Sequence, residues 1–440
     1  MPQTPVKKGP ELTIHLDRPV STYIPGEVIT GQITRRTHIV TSSATVSISL
    51  HARSKSRMVA RRGHLTSTYR GRFDLLQSTE YSKTIFEGPL HVAENDAEQS
   101  WKFSISLPNH VDGPALQSLA GPDQTYLTAD VSEQPLPPTF LIERYDYMSG
   151  TSAFVEYYLQ AELKTTSRGS GTSEAILPFR MLYINAEPLP AQIDLHASRH
   201  TLALQGDNPM VASLEVQTPT TLQIEAPGPI SFLVLAVPSK GVVEKQKPGL
   251  PSIQITRIFM NVVAKTEIKC PKGKNVHETD CEARITLHAE DAFSQYEDDL
   301  YIPWKTPALE TQQLQGGGSA SETGPSEGLN IGAKLALRLQ RSKDLYPSFR
   351  TFNIRHTHRL KWEMTVEVAG KSFELSGEDS IKVLSRPEAE RNTEWIQPPP
   401  EDHPPSFSDD EDGVGSGSRR SSRQTDPAAG VGGLSRLWVF

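Results

Sequence analysis

Between residues 11 and 33 the chain places apolar side chains at every second position on both sides of a Pro-Gly turn, the period of a half-buried β-strand. Leu12, Ile14 and Leu16 face one way and Thr13, His15 and Asp17 the other, while Ile29, Gly31 and Ile33 share a face against Val28, Thr30 and Gln32. Pro19 cannot donate to a ladder and ends the first strand. In the turn, Pro25 presets φ at the first central position and Gly26 supplies the positive φ that type II geometry needs at the next.

The same alternation returns along the chain. Val46, Ile48 and Leu50 alternate with serines, Trp101, Phe103, Ile105 and Leu107 run up to Pro108, and Val155, Tyr157, Leu159, Ala161 and Leu163 precede a polar turn and a strand at 176–184. Residues 109–139 hold several Pro and Gly steps and read as a long inserted loop. Glu187-Pro188-Leu189-Pro190 is a short stiff connector and marks a domain boundary. Beyond it, 214–217 and 221–224 flank a Thr-Pro turn and 230–237 is nearly all apolar. Ile253 and Ile255 alternate, then Ile258, Met260 and Val262 resume after a one-residue slip, as a β-bulge requires. Residues 311–329, around Gly316-Gly317-Gly318, read as a flexible loop. Leu335, Leu337 and Leu339 predict a strand, 352–354 begins another, and Leu360, Trp362, Met364, Val366 and Val368 alternate up to a turn at Gly370. No stretch sustains a helical period. The expected fold is all-β: two tandem antiparallel β-sandwiches at 11–186 and 191–386, followed by a disordered Pro/Ser/acidic tail at 387–440.

Asp17-Arg18-Pro19, a short spacer and Tyr23-Ile24-Pro25-Gly26-Glu27-Val28-Ile29-Thr30-Gly31 resemble the opening of an N-terminal arrestin domain. The strand around Phe154-Val155-Glu156-Tyr157-Tyr158 resembles the end of that domain. His358-x-Leu360-x-Trp362, then Phe373-x-Leu375 and Ile381-x-Val383, resemble the closing hairpin of a C-terminal arrestin domain. The resemblance is to the alpha-arrestins, or arrestin-related trafficking adaptors. It implies two immunoglobulin-like sandwiches in an adaptor that binds cytoplasmic tails of transporters or receptors, recruits a WW-domain ubiquitin ligase, and promotes ubiquitination, endocytosis and sorting. It implies a cytoplasmic protein recruited to the plasma membrane or endosomes. Because retromer-type sorting components use similar sandwiches, a structural coat or trafficking scaffold without ligase recruitment is the alternative.

Chemistry-bearing motifs are sparse. The chain has no Walker loop, dinucleotide fingerprint, nucleophile elbow or His-Glu-x-x-His motif, so a non-enzymatic role with no cofactor is expected. Cys270, His277, Cys281 and His288 are spaced more widely than a zinc hairpin's ligands and read as an ordinary loop, without metal. Two cysteines, no apolar leader at the start and a longest apolar run of only 232–237 suit a reducing, cytosolic setting without a membrane span. A net charge of −7 gives no global drive toward nucleic acid.

Location matters more than net charge. Arg53, Lys55, Arg57, Arg61, Arg62, Arg70 and Arg72 occur with no acidic residue before Asp74. Two readings fit, a solvated strand pair or a docking surface for anionic groups, either the acidic or phosphorylated tail of a cargo or anionic lipid. On a continuous strand Arg53, Lys55 and Arg57 would share one face while Val46, Ile48 and Leu50 point inward. Ligase recruitment would fall to Pro137-Pro138-Thr139-Phe140 and Pro404-Pro405-Ser406-Phe407, each with Phe where a WW-domain ligand carries Tyr. Ser406 and Ser408 precede an acidic run, and Ser421 and Ser422 follow Arg419 and Arg420, so all four are candidate phosphosites.

Overall fold

A computed structural model describes residues 11–386 apart from 19–21, 63–64, 78, 94–97, 113–124, 128–133, 146–148, 166–171, 183–193, 205–209, 239–249, 273–274 and 306–327. The boundary at Glu187-Pro188-Leu189-Pro190, the loop at Gly316-Gly317-Gly318 and the whole of 387–440 therefore lie outside the described residues.

The opening hairpin forms as its alternation requires. Gly26 has φ 83°, Glu27 N–H donates to the Ile24 carbonyl at 3.3 Å, and Glu27 Oε2 accepts from the Ile24 N–H at 2.9 Å. Arg18 reaches Glu27 Oε1 at 3.1 Å, so the charged strand end is tied to the turn. The first sheet runs β1 (Thr13–Leu16), β3 (Val28–Arg35), β7 (Gln99–Ser106). Facing it is a sheet in the order β2 (Thr22–Tyr23), β10 (Ser173–Met181), β9 (Ser149–Thr165), β4 (Ile39–Arg62), β5 (Leu65–Asp74), with β6 (Ser82–Val92) also on β4 and β8 (Phe140–Tyr145) on β9. In the second half β11 (Leu195–Leu204), β12 (Met210–Pro219), β14 (Leu233–Pro238) and β18 (Leu329–Asn330) form one sheet. The other runs β13 (Thr221–Gln223), β21 (Lys371–Leu384), β20 (Ile354–Val368), β15 (Ile253–Lys272), β16 (Asn275–Thr286), with β17 (Leu300–Tyr301) on β15 and β19 (Phe349–Arg350) on β20. Only two short helices occur among the described residues, α1 (Ala289–Ser294) and α2 (Ile331–Lys334).

These pairings are one plan used twice. Adding eleven to each strand number turns the first half's pairings into the second's: β1-β3-β7 into β12-β14-β18, β5-β4-β9-β10 into β16-β15-β20-β21, and the parallel β2–β10 into the parallel β13–β21. Only β11 has no counterpart. Each half packs its two sheets around its own core, one holding Ile29, Ile33, Val46, Ile48, Phe103 and Leu159, the other Leu214, Val216, Ile258, Met260 and Trp362.

Most expected strands are present, including the bulge, with two corrections. The slip after Ile255 is a bulge, since the β15–β20 register shifts between Ile255 and Arg257. The last strand of the first half is Ser173–Met181 rather than 176–184. Leu335, Leu337 and Leu339 are buried alternately but form no strand, because α2 ends at Lys334 and Ala336 has φ 49°. Their segment bonds to loop backbone instead, Ile230 N–H to Leu337 O and Glu225 N–H to Leu339 O, both at 2.8 Å.

β4 links the halves. Its inward row is apolar from Ala44 to Ala52 and then becomes Ser54 and Ser56, both buried. Ser54 donates to Asn353 Oδ1 at 2.6 Å, Ser56 donates to the Lys269 carbonyl at 2.6 Å, and Asn353 Nδ2 donates to Ser56 Oγ at 2.9 Å. Phe73 stacks on Phe352 with centroids 5.5 Å apart, and Tyr126 lies under Lys269 and Arg355 at 4.6 and 5.0 Å. Both halves accordingly belong to one unit, Met1–Thr393.

Two histidines lie beside this interface. His356 and His358 are buried on β20 with ring centroids 4.7 Å apart, and their Nδ1 atoms meet Thr266 Oγ1 and Ser348 Oγ, each at 2.9 Å. Phe140 of the first half packs on His356 at 5.2 Å. Burial pushes the His356 pKa well below its usual value, with the neighbouring His358 adding to the shift, and burial alone lowers His358 to about 4. A base whose folded pKa is depressed stabilises the fold above its unfolded pKa, and that stability is lost as pH falls toward the folded value. Denaturation midpoints should therefore drop between pH 6.5 and about 4, with His358 alone contributing about 3 kcal/mol. The His356→Gln/His358→Gln variant should show a flatter profile than the parent over that window, whereas parallel profiles would remove the pair as the cause.

Gly71 on β5 gives a second check. A Cβ there would lie 2.6 Å from Ser56 Oγ and 3.2 Å from the Lys269 carbonyl, so the halves approach too closely for a side chain. Gly71→Val should cost about 1–3 kcal/mol in chemical denaturation.

Candidate anion-binding surface

β4 runs unbroken from Ile39 to Arg62, which puts the expected cations on one outer face: Arg53, Lys55 and Arg57 point away from the core that Val46, Ile48 and Leu50 enter. Register with β5 sets them in rows, Arg53 opposite Asp74, Lys55 opposite Arg72, and Arg57 opposite Arg70. Neighbouring strands are about 4.8 Å apart and alternate residues about 7 Å, so Lys55, Arg72, Arg57 and Arg70 occupy a small rectangle of like charge. Arg61 lies farther along the same face, opposite Thr66, and Arg62 ends the strand with its side chain outside those described.

The row is not uniform. Arg53 pairs with Glu156 of β9 at 2.5 Å and Lys55 reaches the same Oε1 at 3.5 Å, while Glu156 is only 1% exposed. Arg53 also lies 4.8 Å over the Tyr158 ring, on which His51 stacks from its own position at 4.8 Å. Burial first, and then the Arg53 charge, hold the Lys55 ammonium below its ordinary pKa, with Glu156 partly offsetting both. Arg53 and Lys55 thus carry an internal counter-ion. Arg72 has a looser partner in Asp74 at 3.5 Å, both well exposed. Arg70 projects to solvent, and Arg57 is half-buried beside it.

The equivalent hairpin in the second half provides an internal comparison. On β15–β16, Lys265 reaches Asp280 at 2.9 Å and Lys269 reaches Glu278 at 3.3 Å, and Arg355 of β20 pairs with Glu267. There two rows set a lysine opposite a carboxylate, Lys265 opposite Glu282 and Lys269 opposite Glu278, and flank one row of two carboxylates, Glu267 opposite Asp280, which Lys265 and Arg355 offset. On β4–β5 two successive rows set cation against cation, an arrangement that costs stability unless an anion lies between them. Arginine guanidinium groups are suited to that role, since the planar fork takes carboxylate or phosphate bidentately.

Other expected sites fare differently. Pro137 and Pro138 are buried, and Phe140, 2% exposed, packs on Tyr346 and Phe349 at 4.7 and 5.0 Å. The Pro137 carbonyl accepts from Tyr157 Oη at 2.6 Å. A WW domain needs proline rings and the following aromatic on display, so this segment is excluded as its ligand in the folded protein. Pro404, Pro405 and Phe407 lie outside the described residues, as do Ser406, Ser408, Ser421 and Ser422. Cys270 faces Ser56 at 3.3 Å, His277 stacks on Tyr69, and His288 pairs with Asp291, so three of the four spaced Cys and His residues have separate partners. Among the described residues no group of three or more His, Cys, Asp or Glu could hold a metal ion.

The residue that sequence reasoning missed is Glu156. Its signal was a carboxylate on the outward face of a strand between Phe154 and Tyr158, where only an ion pair makes burial tolerable. Removing the nearer partner of a buried carboxylate leaves Glu156 only the longer Lys55 contact, so Arg53→Met should cost about 3 kcal/mol. Arg72→Met, at an exposed pair, should cost under about 1 kcal/mol. Urea denaturation of the two variants checks the contrast. Compared with protein-family models and with curated proteins, the chain matches none.

Proposed function

We propose that the protein is a non-enzymatic, arrestin-like adaptor that docks acidic or phosphorylated cytoplasmic tails of membrane proteins on the outer face of its first seven-stranded sheet. One observation carries this reading: Lys55, Arg57, Arg70 and Arg72 stand together as two successive rows of cations on one outer face, where the duplicate hairpin of the second half intersperses cations with carboxylates. A phosphate or carboxylate bridging those rows would relieve the repulsion and be fixed in orientation by a rigid sheet. The tandem sandwiches and the motifs shared with arrestins support the adaptor class. In that class, docking leads to ubiquitination, endocytosis and sorting, with the protein cytoplasmic and recruited to the plasma membrane or endosomes. No described helix is long and apolar enough to cross a membrane.

A second reading, a coat or retromer-type scaffold that recruits no ligase, gains from the burial of Pro137, Pro138 and Phe140, which leaves Pro404-Pro405-Ser406-Phe407 as the remaining candidate ligand. Cross-linked pull-downs separate the two, since an adaptor recovers a ligase with its cargo and a scaffold recovers coat subunits.

The docking claim has a direct test. Arg70→Glu/Arg72→Glu should weaken binding of a phosphorylated acidic peptide by at least about tenfold, given about 1.5–3 kcal/mol for a charge-assisted bond. Raising ionic strength toward about 1 M, where the Debye length is roughly 3 Å, should erase most of the parent's affinity. Peptide titrations that superimpose for parent and variant at low salt would end the proposal. Arg53 is unsuitable for charge reversal, because Arg53→Glu would set two carboxylates against each other in a buried site.

A further inference from the structure

The rows of like charge continue sideways into apolar surface. Cross-strand register sets Arg72 of β5 opposite Lys55 of β4, Lys55 opposite Phe154 of β9, and Phe154 opposite Leu141 of β8, so one row crosses the outer face in the order cation, cation, aromatic, aliphatic. Phe154 and Leu141 are half-buried and stand outside the first core, which takes their inward-pointing neighbours Phe140, Ile142, Ala153 and Val155. Lys55 Nζ lies 5.3 Å from the Phe154 ring centroid, where charge gives way to apolar surface. In the next row Arg70 and Arg57 are followed by Ser152 and then Glu143, which puts a carboxylate on the β8 side of the face.

Spacing between the two halves of this row restricts what can cover both. Neighbouring strands stand about 4.8 Å apart, so the middle of the β4–β5 pair lies about 10 Å from the middle of the β9–β8 pair. Side chains two apart on an extended β-chain span only about 7 Å, and those three apart point to opposite sides. A polyproline II chain, a major conformer of unfolded segments, has three residues per turn and a 3.1 Å rise, so side chains three apart point the same way about 9 Å from each other. We infer that this face reads a two-part signal in an unfolded tail: a phosphorylated residue over Lys55, Arg57, Arg70 and Arg72, and an apolar side chain three positions from it over Phe154 and Leu141. The inference rests on the proposed docking of tails and adds what such a tail must carry. Glu143 repels a second phosphate from the apolar end, so the phosphate is confined to the β4–β5 side. A peptide is preferred to a lipid surface because a bilayer holds its phosphates and its apolar layer at different depths, whereas these two subsites lie side by side on one face.

The test is calorimetric titration of the full chain at low salt with synthetic phosphoserine peptides that carry one leucine two, three or four residues from the phosphoserine, on either side, or serine in its place. A spacing of three, in at least one of the two orders, should bind about tenfold more tightly than the serine peptide, as partial burial of a leucine side chain implies, and more tightly than spacings of two or four. Leu141→Ser/Phe154→Ser should lose this preference and keep its dependence on phosphate, whereas Arg70→Glu/Arg72→Glu should weaken every phosphopeptide. Circular dichroism with thermal melting checks that the variants fold, and the peptide series on the parent decides the matter by itself if they do not. Phosphopeptides that bind the parent equally at every leucine position, or a folded Leu141→Ser/Phe154→Ser variant that keeps the preference, overturn the inference and leave tail docking standing. Failure of every peptide to bind ends both readings, and sedimentation of such a chain with phosphatidylserine vesicles assigns the face to lipid.

Discussion

Two serines in an otherwise apolar row decide where the sandwiches meet. Ser54 and Ser56 continue the inward face of β4 beyond the first core, and buried hydroxyls cannot be left without partners there. They find them in Asn353 and the Lys269 carbonyl, both from the second half. Hydrogen bonds of this kind are directional, unlike the stacking of Phe73 on Phe352 beside them, so they set the register between the halves as well as their contact. Gly71 and the burial of Phe140 follow from it, since both lie where the two halves come closest.

Duplication makes the charges interpretable. Strand for strand, β12–β21 repeat the pairing of β1–β10, so each hairpin of one half has a counterpart built under the same geometric limits. On β15–β16 the outer face intersperses Lys265 and Lys269 with Glu267, Glu278 and Asp280, so each lysine has a carboxylate within reach. On β4–β5 two rows set cations opposite one another, and the carboxylates that Lys55 and Arg72 reach, Glu156 and Asp74, lie outside those rows.

Periodicity conveyed much of this architecture. β4, β7, β9 and β20 could be read from alternation, and even the bulge after Ile255 left its mark as a one-residue slip. Contacts made by loops were not legible, since they have no period. Phe140 follows a run of prolines that looks exposed, yet it fills the space between the halves. Leu335 to Leu339 alternate as a strand does, yet their backbone groups are taken by the loop at 225–230, so alternation reports which side chains are buried and not what pairs the backbone. The basic row was visible as a cluster, but its division into Arg53 and Lys55 on a buried counter-ion, Arg72 on the exposed Asp74, and Arg70 toward solvent depends on cross-strand register with β5 and β9 that one strand's sequence does not contain.

The length of β4 has a mechanical consequence. One unbroken strand of 24 residues crosses the first core, the contact with the second half, and the basic hairpin. Because side chains alternate with a period of two, a slip by one residue would drive Arg53 and Lys55 inward and turn Val46 and Ile48 out to water, so the strand cannot creep along its neighbours. It behaves as a stiff strut. A force applied at the hairpin end is loaded in shear across many ladder bonds at once and reaches Ser54 and Ser56 undamped, so a pull on whatever is held there would be felt where the two sandwiches join.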